Sequence, residues 1–123
     1  MKQVLLVFLG GGFGSAARFL LGKLWNNPES GFPYGTFAAN AMGSFFIGII
    51  LGLAAKNETL TQSQTLLLAT GFCGGFTTFS TFAYENHIFI KQGDLMTFAL
   101  YTVVSFVTAF LAVFLGIYLS RAL

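Results

Sequence analysis

The sequence predicts an all-α integral membrane protein of four transmembrane helices, and three observations predict it. Of its 123 residues, 55% are hydrophobic and only 8% charged, against roughly 25% charged in soluble domains. Four apolar blocks, residues 4–25, 32–55, 66–90 and 95–119, each come near or exceed the roughly 20 residues needed to cross the hydrocarbon core. The connections between them are short and polar. A chain this small could not bury four all-round apolar helices against itself in water, and nothing remains for a soluble catalytic or nucleic-acid-binding domain. Residues 1–123 therefore read as a single four-helix transmembrane domain.

The first block carries Gly10, Gly14, Arg18 and Gly22 at intervals of four, which places them along one helical face. Its length, its internal arginine and the three blocks that follow identify it as a retained span rather than a cleaved signal peptide. Gly10 and Gly14 suit close helix packing. Arg18 is the fully charged side chain set well inside a block, at a cost of at least a few kcal/mol near the bilayer centre unless it snorkels. It either reaches lipid phosphate and helix-end carbonyls or forms an electropositive vestibule that gathers anions. Asn26 to Gly31 then reads as a turn.

The second block places Thr36, Asn40, Ser44, Gly48 and Gly52 on one slowly drifting face. Ser44, Gly48 and Gly52 continue the packing theme, with Gly48 and Gly52 in a small-xxx-small pattern. Asn40 differs, because a buried amide needs several partners; it is either interhelical glue or part of a polar path. Lys56, Asn57 and Glu58 make a polar exit, and the segment from Thr61 to Gln64 caps or opens the third span.

The third block holds Gly71-Phe-Cys-Gly-Gly-Phe-Thr-Thr-Phe-Ser-Thr-Phe82. The pair Gly74-Gly75, followed at once by Thr77-Thr78, loosens and competes with helical hydrogen bonding. In hydrocarbon a break is tolerated only where protein or a polar cavity satisfies the freed groups, so the third span is expected to break near Gly74-Gly75. Freed carbonyls there either coordinate a cation or are met by water and neighbouring hydroxyls. Phe76, Phe79 and Phe82 recur every three residues beside Thr77, Ser80 and Thr81. Ring edges are electropositive, so rings and hydroxyls together could meet a dehydrating anion without a fixed charge that would trap it. Cys73 lacks thiol or histidine neighbours at metal-ligand spacing and reads as a small core residue. Glu85 and His87 read as interfacial, near Asn86 and Lys91.

After the connection from Lys91 to Asp94, the fourth block sets Thr97, Tyr101, Ser105 and Thr108 on one side, continuing through Ala112 to Gly116. Three blocks with matched small-and-polar stripes should face one another or a second subunit. With four spans the basic residues divide as Lys2, Lys56 and Arg121 against Lys23 and Lys91, with Arg18 near the second side. That balance gives the positive-inside rule almost nothing to act on, and it permits insertion in both orientations. A net charge of +2, spread thinly through loops, gives no basis for a nucleic-acid partner. No Ser/His/Asp arrangement, phosphate loop or metal motif is present, so an enzyme is not expected.

Three stretches carry a resemblance: Gly10-Gly-Gly-Phe-Gly-Ser-Ala-Ala-Arg-Phe19; Gly35-Thr-Phe37 through Asn40 with Gly43-Ser-Phe45; and the segment from Gly71 to Phe82. In these the chain resembles the small bacterial fluoride channels of the Fluc/CrcB family, which match it in size and helix number over its full length. The resemblance implies an antiparallel, dual-topology homodimer in the bacterial inner membrane, passing fluoride passively through two pores along the subunit interface. It implies that Phe79 and Phe82 line the pore, that Asn40 lies on the ion path, and that Ser80 and Thr81 form part of its polar track. Tyr101 and Ser105 correspond to the polar side of the fourth helix, with Thr108 as an extension, and Arg18 serves the anion vestibule. The Gly74 and Thr77 carbonyls of both subunits would hold a structural sodium ion at the dimer centre, with no organic cofactor. Two other readings compete. A small dual-topology exporter of lipophilic cations would place an acid in the bilayer interior, where the first block offers Arg18 and no acid; a non-transporting assembly subunit would use the glycine faces for packing only.

Overall fold

The structure is a computed structural model that describes residues 1–27, 31–56 and 59–123. Residues 28–30 of the expected first turn, and Asn57 and Glu58 of the second exit, lie outside the described residues. Among the described residues, four helical spans are long and apolar enough to cross a membrane. The first is α1, Lys2–Trp25, and the second is α2, Tyr34–Ala55. The third is composite: α3, Gln62–Thr65, leads into a π-helical segment, Leu66–Cys73, then one turn of α4, Gly74–Phe76, and, after a break, α5, Phe79–Lys91. The fourth is α6, Leu95–Ser120.

Local chemistry sets the ends of these elements. Thr61 and Gln64 form a reciprocal capping box, Gln64 N donating to Thr61 Oγ1 at 3.1 Å and Thr61 N to Gln64 Oε1 at 2.9 Å. The α5–α6 turn closes through Gly93, at φ +76°, a conformation that favours glycine; Gly93 N donates to Ile90 O and Asp94 N to Phe89 O. Asp94 then caps α6 by accepting from Thr97 N at 3.1 Å, and these hydrogen bonds from Thr97 hold the exposed Asp94 carboxyl below its ordinary range. The start of α2 is capped from outside: Asn26 Oδ1, just beyond α1, accepts from Gly35 N at 2.7 Å and Thr36 N at 3.2 Å.

Glycines draw the spans together in two seams. A Cβ on Gly10 or Gly14 would collide with backbone of the π segment, at Leu67 and Phe72, and one on Gly75 would collide with the carbonyl of Gly11. In the other seam Gly48 meets Val113 and Gly116 of α6, and Gly52 meets Ser120. An aromatic cluster of Phe82, Phe89 and Tyr101, flanked by Phe32, Phe37 and Phe98, forms a buried core. Much of α1 and α6 presents large apolar side chains outward, including Phe8, Phe13, Phe110 and Phe114, as spans bathed in lipid do.

The break differs from expectation in place. Gly74 keeps helical angles, φ −62° and ψ −36°, and Gly75 lies within α4; the backbone leaves the helix at Thr77 and Thr78, with φ −89°, ψ 155° and φ −152°, ψ 125°. Close approach to α1 explains the shift. Gly75 lacks a side chain so that Gly11 can approach, and the unwinding falls on the two threonines, whose hydroxyls cap the ends it creates.

Candidate functional site at the helix break

At the break most of the freed polar groups can be traced. Thr77 N and Thr77 Oγ1 both donate to Cys73 O, at 3.0 and 2.9 Å. Thr78 Oγ1 accepts from Thr81 N at 3.1 Å and so caps α5. Asn40, arriving from α2, pairs with both backbone groups of Thr78: its Oδ1 accepts from Thr78 N at 2.7 Å and its Nδ2 donates to Thr78 O at 3.1 Å. A backbone N–H only donates and a carbonyl only accepts, so this pairing fixes the orientation of the amide and leaves its second N–H without a partner among the described residues. Arg18 Nε donates to Gly75 O at 3.0 Å, with Ser15 Oγ 3.5 Å from the same oxygen. The arginine thus closes one carbonyl of the break through its Nε.

An open cavity of about 370 Å³ lies beside the break. Its polar lining comes from Asn40, Ser44, Thr77, Thr78 and Ser105, and its aromatic lining from Phe79, Phe82 and Phe106; Cys73 and Gly74 also border it. No lysine or arginine is among the lining residues. Phe79 is 70% exposed and Phe82 only 7%, with ring centroids 5.7 Å apart, and Phe106 meets Phe82 edge-on at 5.8 Å. Ser105 borders the cavity, and its Oγ is buried with no hydrogen-bond partner among the described residues. Ser44, assigned to packing by its spacing, lines this cavity, whereas Gly10, Gly14, Gly48 and Gly52 lie in the two seams.

A second opening, of about 460 Å³, runs between α1, α2 and α5 and is lined by Arg18, Lys23, Asn26, Thr36, Thr78 and Thr81, with Phe19 and Gly22. Two cations give it positive potential. Ser80 is exposed, its Oγ 3.3 Å from Thr78 Oγ1. Thr108 is half-buried on α6 and does not border either opening.

Sequence reasoning missed a third arrangement. Glu85, read as interfacial, accepts from Thr36 Oγ1 through Oε2 and from Tyr101 Oη through Oε1, both at 2.7 Å. Asn26 Nδ2 donates to Thr36 Oγ1 at 3.1 Å, which turns the threonine's own proton toward the carboxylate. Tyr101 is fully buried among Phe32, Phe82 and Phe89, so its hydroxyl serves Glu85 rather than the cavity wall. Its ring meets that of Phe82 at a tilt, with centroids 5.0 Å apart, and ties this network to the cavity. His87, two residues on, is exposed and takes no part. The available signal was that Glu85 is the one acidic residue inside any of the four apolar blocks, where an ionisable group needs named partners. Asn86 was likewise missed as a buried residue; its Nδ2 donates to Thr102 Oγ1 at 3.1 Å.

Four membrane-length helical spans, the third of them broken beside a hydroxyl- and phenyl-lined opening, define a multi-pass membrane protein with a polar site among its spans. Residues 5–117 match the family described as CrcB-like protein, Camphor Resistance (CrcB), and the chain belongs to that family, as its motifs indicated. Relatives named Fluoride-specific ion channel FluC are similar over nearly the whole chain. One from Gloeothece citriformis (strain PCC 7424) is 51% identical over 98% of both proteins. Another from Chlorobaculum tepidum is 44% identical, covering 98% of this chain and 96% of the relative. A third, from Phocaeicola vulgatus, is 42% identical over 98% and 100%.

Proposed function

We propose that this chain is a fluoride-selective ion channel of the bacterial inner membrane, passive and not an enzyme. The observation that carries this reading, within a family whose curated relatives are named fluoride-specific ion channels, is the cavity at the helix break. It offers Asn40, Ser44 and Ser105 as polar groups and Phe79, Phe82 and Phe106 as rings, with no fixed cation in its wall. Fluoride is the smallest halide and the most costly to dehydrate, so it needs closely spaced donors. The second N–H of Asn40 and the hydroxyl of Ser105, both without a partner among the described residues, supply two, and ring edges supply weaker positive surface. Binding of that kind is strong enough to admit an anion and weak enough to release it. Phe79, Ser80, Thr81 and Phe82 continue the path along α5. The cleft of Arg18 and Lys23 gathers anions at its mouth. Export needs no fuel, since a potential of about 100 mV, negative inside, favours outward movement of one negative charge by about 2.3 kcal/mol.

The channel works as an antiparallel homodimer of a single four-helix domain, with two pores along the interface. Supporting this, the cavity is open on the protomer, with Gly74 exposed and Phe79 70% exposed beside it. Polar backbone facing hydrocarbon is costly, and a second copy in the opposite orientation covers it, as the nearly balanced basic residues permit. The carbonyls of Gly74 and Thr77 fit a sodium ion at the dimer centre. Neither is among the acceptors of the side-chain or capping hydrogen bonds that close the rest of the break among the described residues, and hard carbonyl oxygens suit such a cation. Bound there, the ion would offset the partial charge of those carbonyls. Purified protein in liposomes tests the function: fluoride efflux that persists without a proton gradient and excludes chloride supports the channel, whereas proton-dependent cation uptake or no flux refutes it.

A further inference from the structure

The cavity and the cleft have one residue in common among the described residues, Thr78. On one side of it stand Arg18 and Lys23, and on the other Asn40 and Ser105. Its backbone is held from both ends, because Asn40 occupies its N–H and its carbonyl together. Its hydroxyl is oriented as well: Oγ1 accepts from Thr81 N at 3.1 Å, which leaves the hydroxyl proton to donate. Its neighbour in the protein is Ser80 Oγ, at a loose 3.3 Å, a distance long for two hydroxyls. A proton so placed is ready to be given to something better.

We propose that Thr78 is the partition between the two openings and a specificity-determining residue for the anion, with Asn40 acting on it as a positioning residue. The inference rests on reading the protein as a fluoride channel. An anion gathered in the cationic cleft reaches the cavity by passing Thr78, which presents one oriented hydroxyl proton and one methyl group. The hydroxyl replaces part of the lost hydration, and the methyl group, on a backbone that Asn40 prevents from yielding, limits the size of what passes.

Three substitutions separate these roles in liposome flux, read with fluoride and chloride electrodes. Thr78→Val keeps the shape and removes the donor, and it should cut fluoride flux about tenfold or more, the size of effect expected when a hydrogen bond to an ion is lost. Thr78→Ser keeps the donor and should hold fluoride flux within about threefold of wild type. Thr78→Ala removes donor and methyl together; it should lower fluoride flux and admit measurable chloride. A threonine that only caps α5 would also separate Ser from Val, but it would leave the fluoride-to-chloride ratio unchanged. Wild-type fluoride flux and chloride exclusion in both Thr78→Val and Thr78→Ala overturn the proposal, as does a Thr78→Ser loss as deep as that of Thr78→Val. Should Thr78→Val fail to purify folded, the Ser and Ala pair decides by the same two readouts. Absence of flux from the wild-type protein would overturn the channel reading and this inference with it, whereas normal wild-type flux beside unchanged variants overturns the assignment of Thr78 alone.

Discussion

Phe79 and Phe82 sit three residues apart on α5 yet live in different surroundings. Phe82 is packed between Tyr101 and Phe106, while Phe79 is 70% exposed beside the cavity. Both border the opening, so both can offer a ring to an ion, but only Phe82 also holds the core. Replacing either with Ile keeps an apolar side chain and removes the aromatic edge. Phe79→Ile should greatly reduce fluoride flux with the oligomer intact by size-exclusion chromatography. Phe82→Ile should do the same with an added loss of thermal stability of about 1–3 kcal/mol, because shape changes in a packed site carry that cost. Unchanged flux in both variants would remove the rings from the path. Arg18 combines two features on one side chain: its Nε donates to the Gly75 carbonyl, and the residue lines the cleft beside Lys23.

The elements themselves were legible in proportion to how far periodicity controls them. Hydropathy and length located α1, α2 and α6 to within a few residues, and the Thr61–Gln64 cap followed from side-chain chemistry that acts over one turn. The third span was harder. A Gly-Gly pair signals either unwinding or close approach, and which of the two applies depends on Gly11 across the interface, a residue 64 positions away from Gly75 in sequence. Glu85 was marked as an acid inside an apolar block, but its partners Thr36 and Tyr101 lie on other spans and were not legible. Two expectations belong to this scale. Gly75→Ala should push α1 from the third span and cost about 1–3 kcal/mol of stability, whereas Gly12→Ala, which meets nothing within 4 Å, should be nearly neutral; thermal unfolding in detergent compares them. At the start of α6, Asp94→Ala should speed amide exchange at Thr97 at neutral pH. In the wild type the lowered carboxyl makes that cap effective above the ordinary carboxylate range, and its protection should be lost as pH falls through the folded-state value.

At the scale of the whole molecule, two glycine seams fix the spans around an opening that the protomer does not close. The cavity, the exposed turn at Gly74 and the outward Phe79 lie together, and Thr78 joins that opening to a cleft holding two cations. Such an arrangement suits a pore finished by a second copy in the opposite orientation, consistent with basic residues that favour neither side. Cargo identity is the central claim. Purified protein alone, reconstituted at low density into liposomes loaded with fluoride, should release it when a potassium ionophore frees the countercharge, without a proton gradient, and should retain chloride under the same conditions. Fluoride held inside, or chloride released as readily as fluoride, would contradict it.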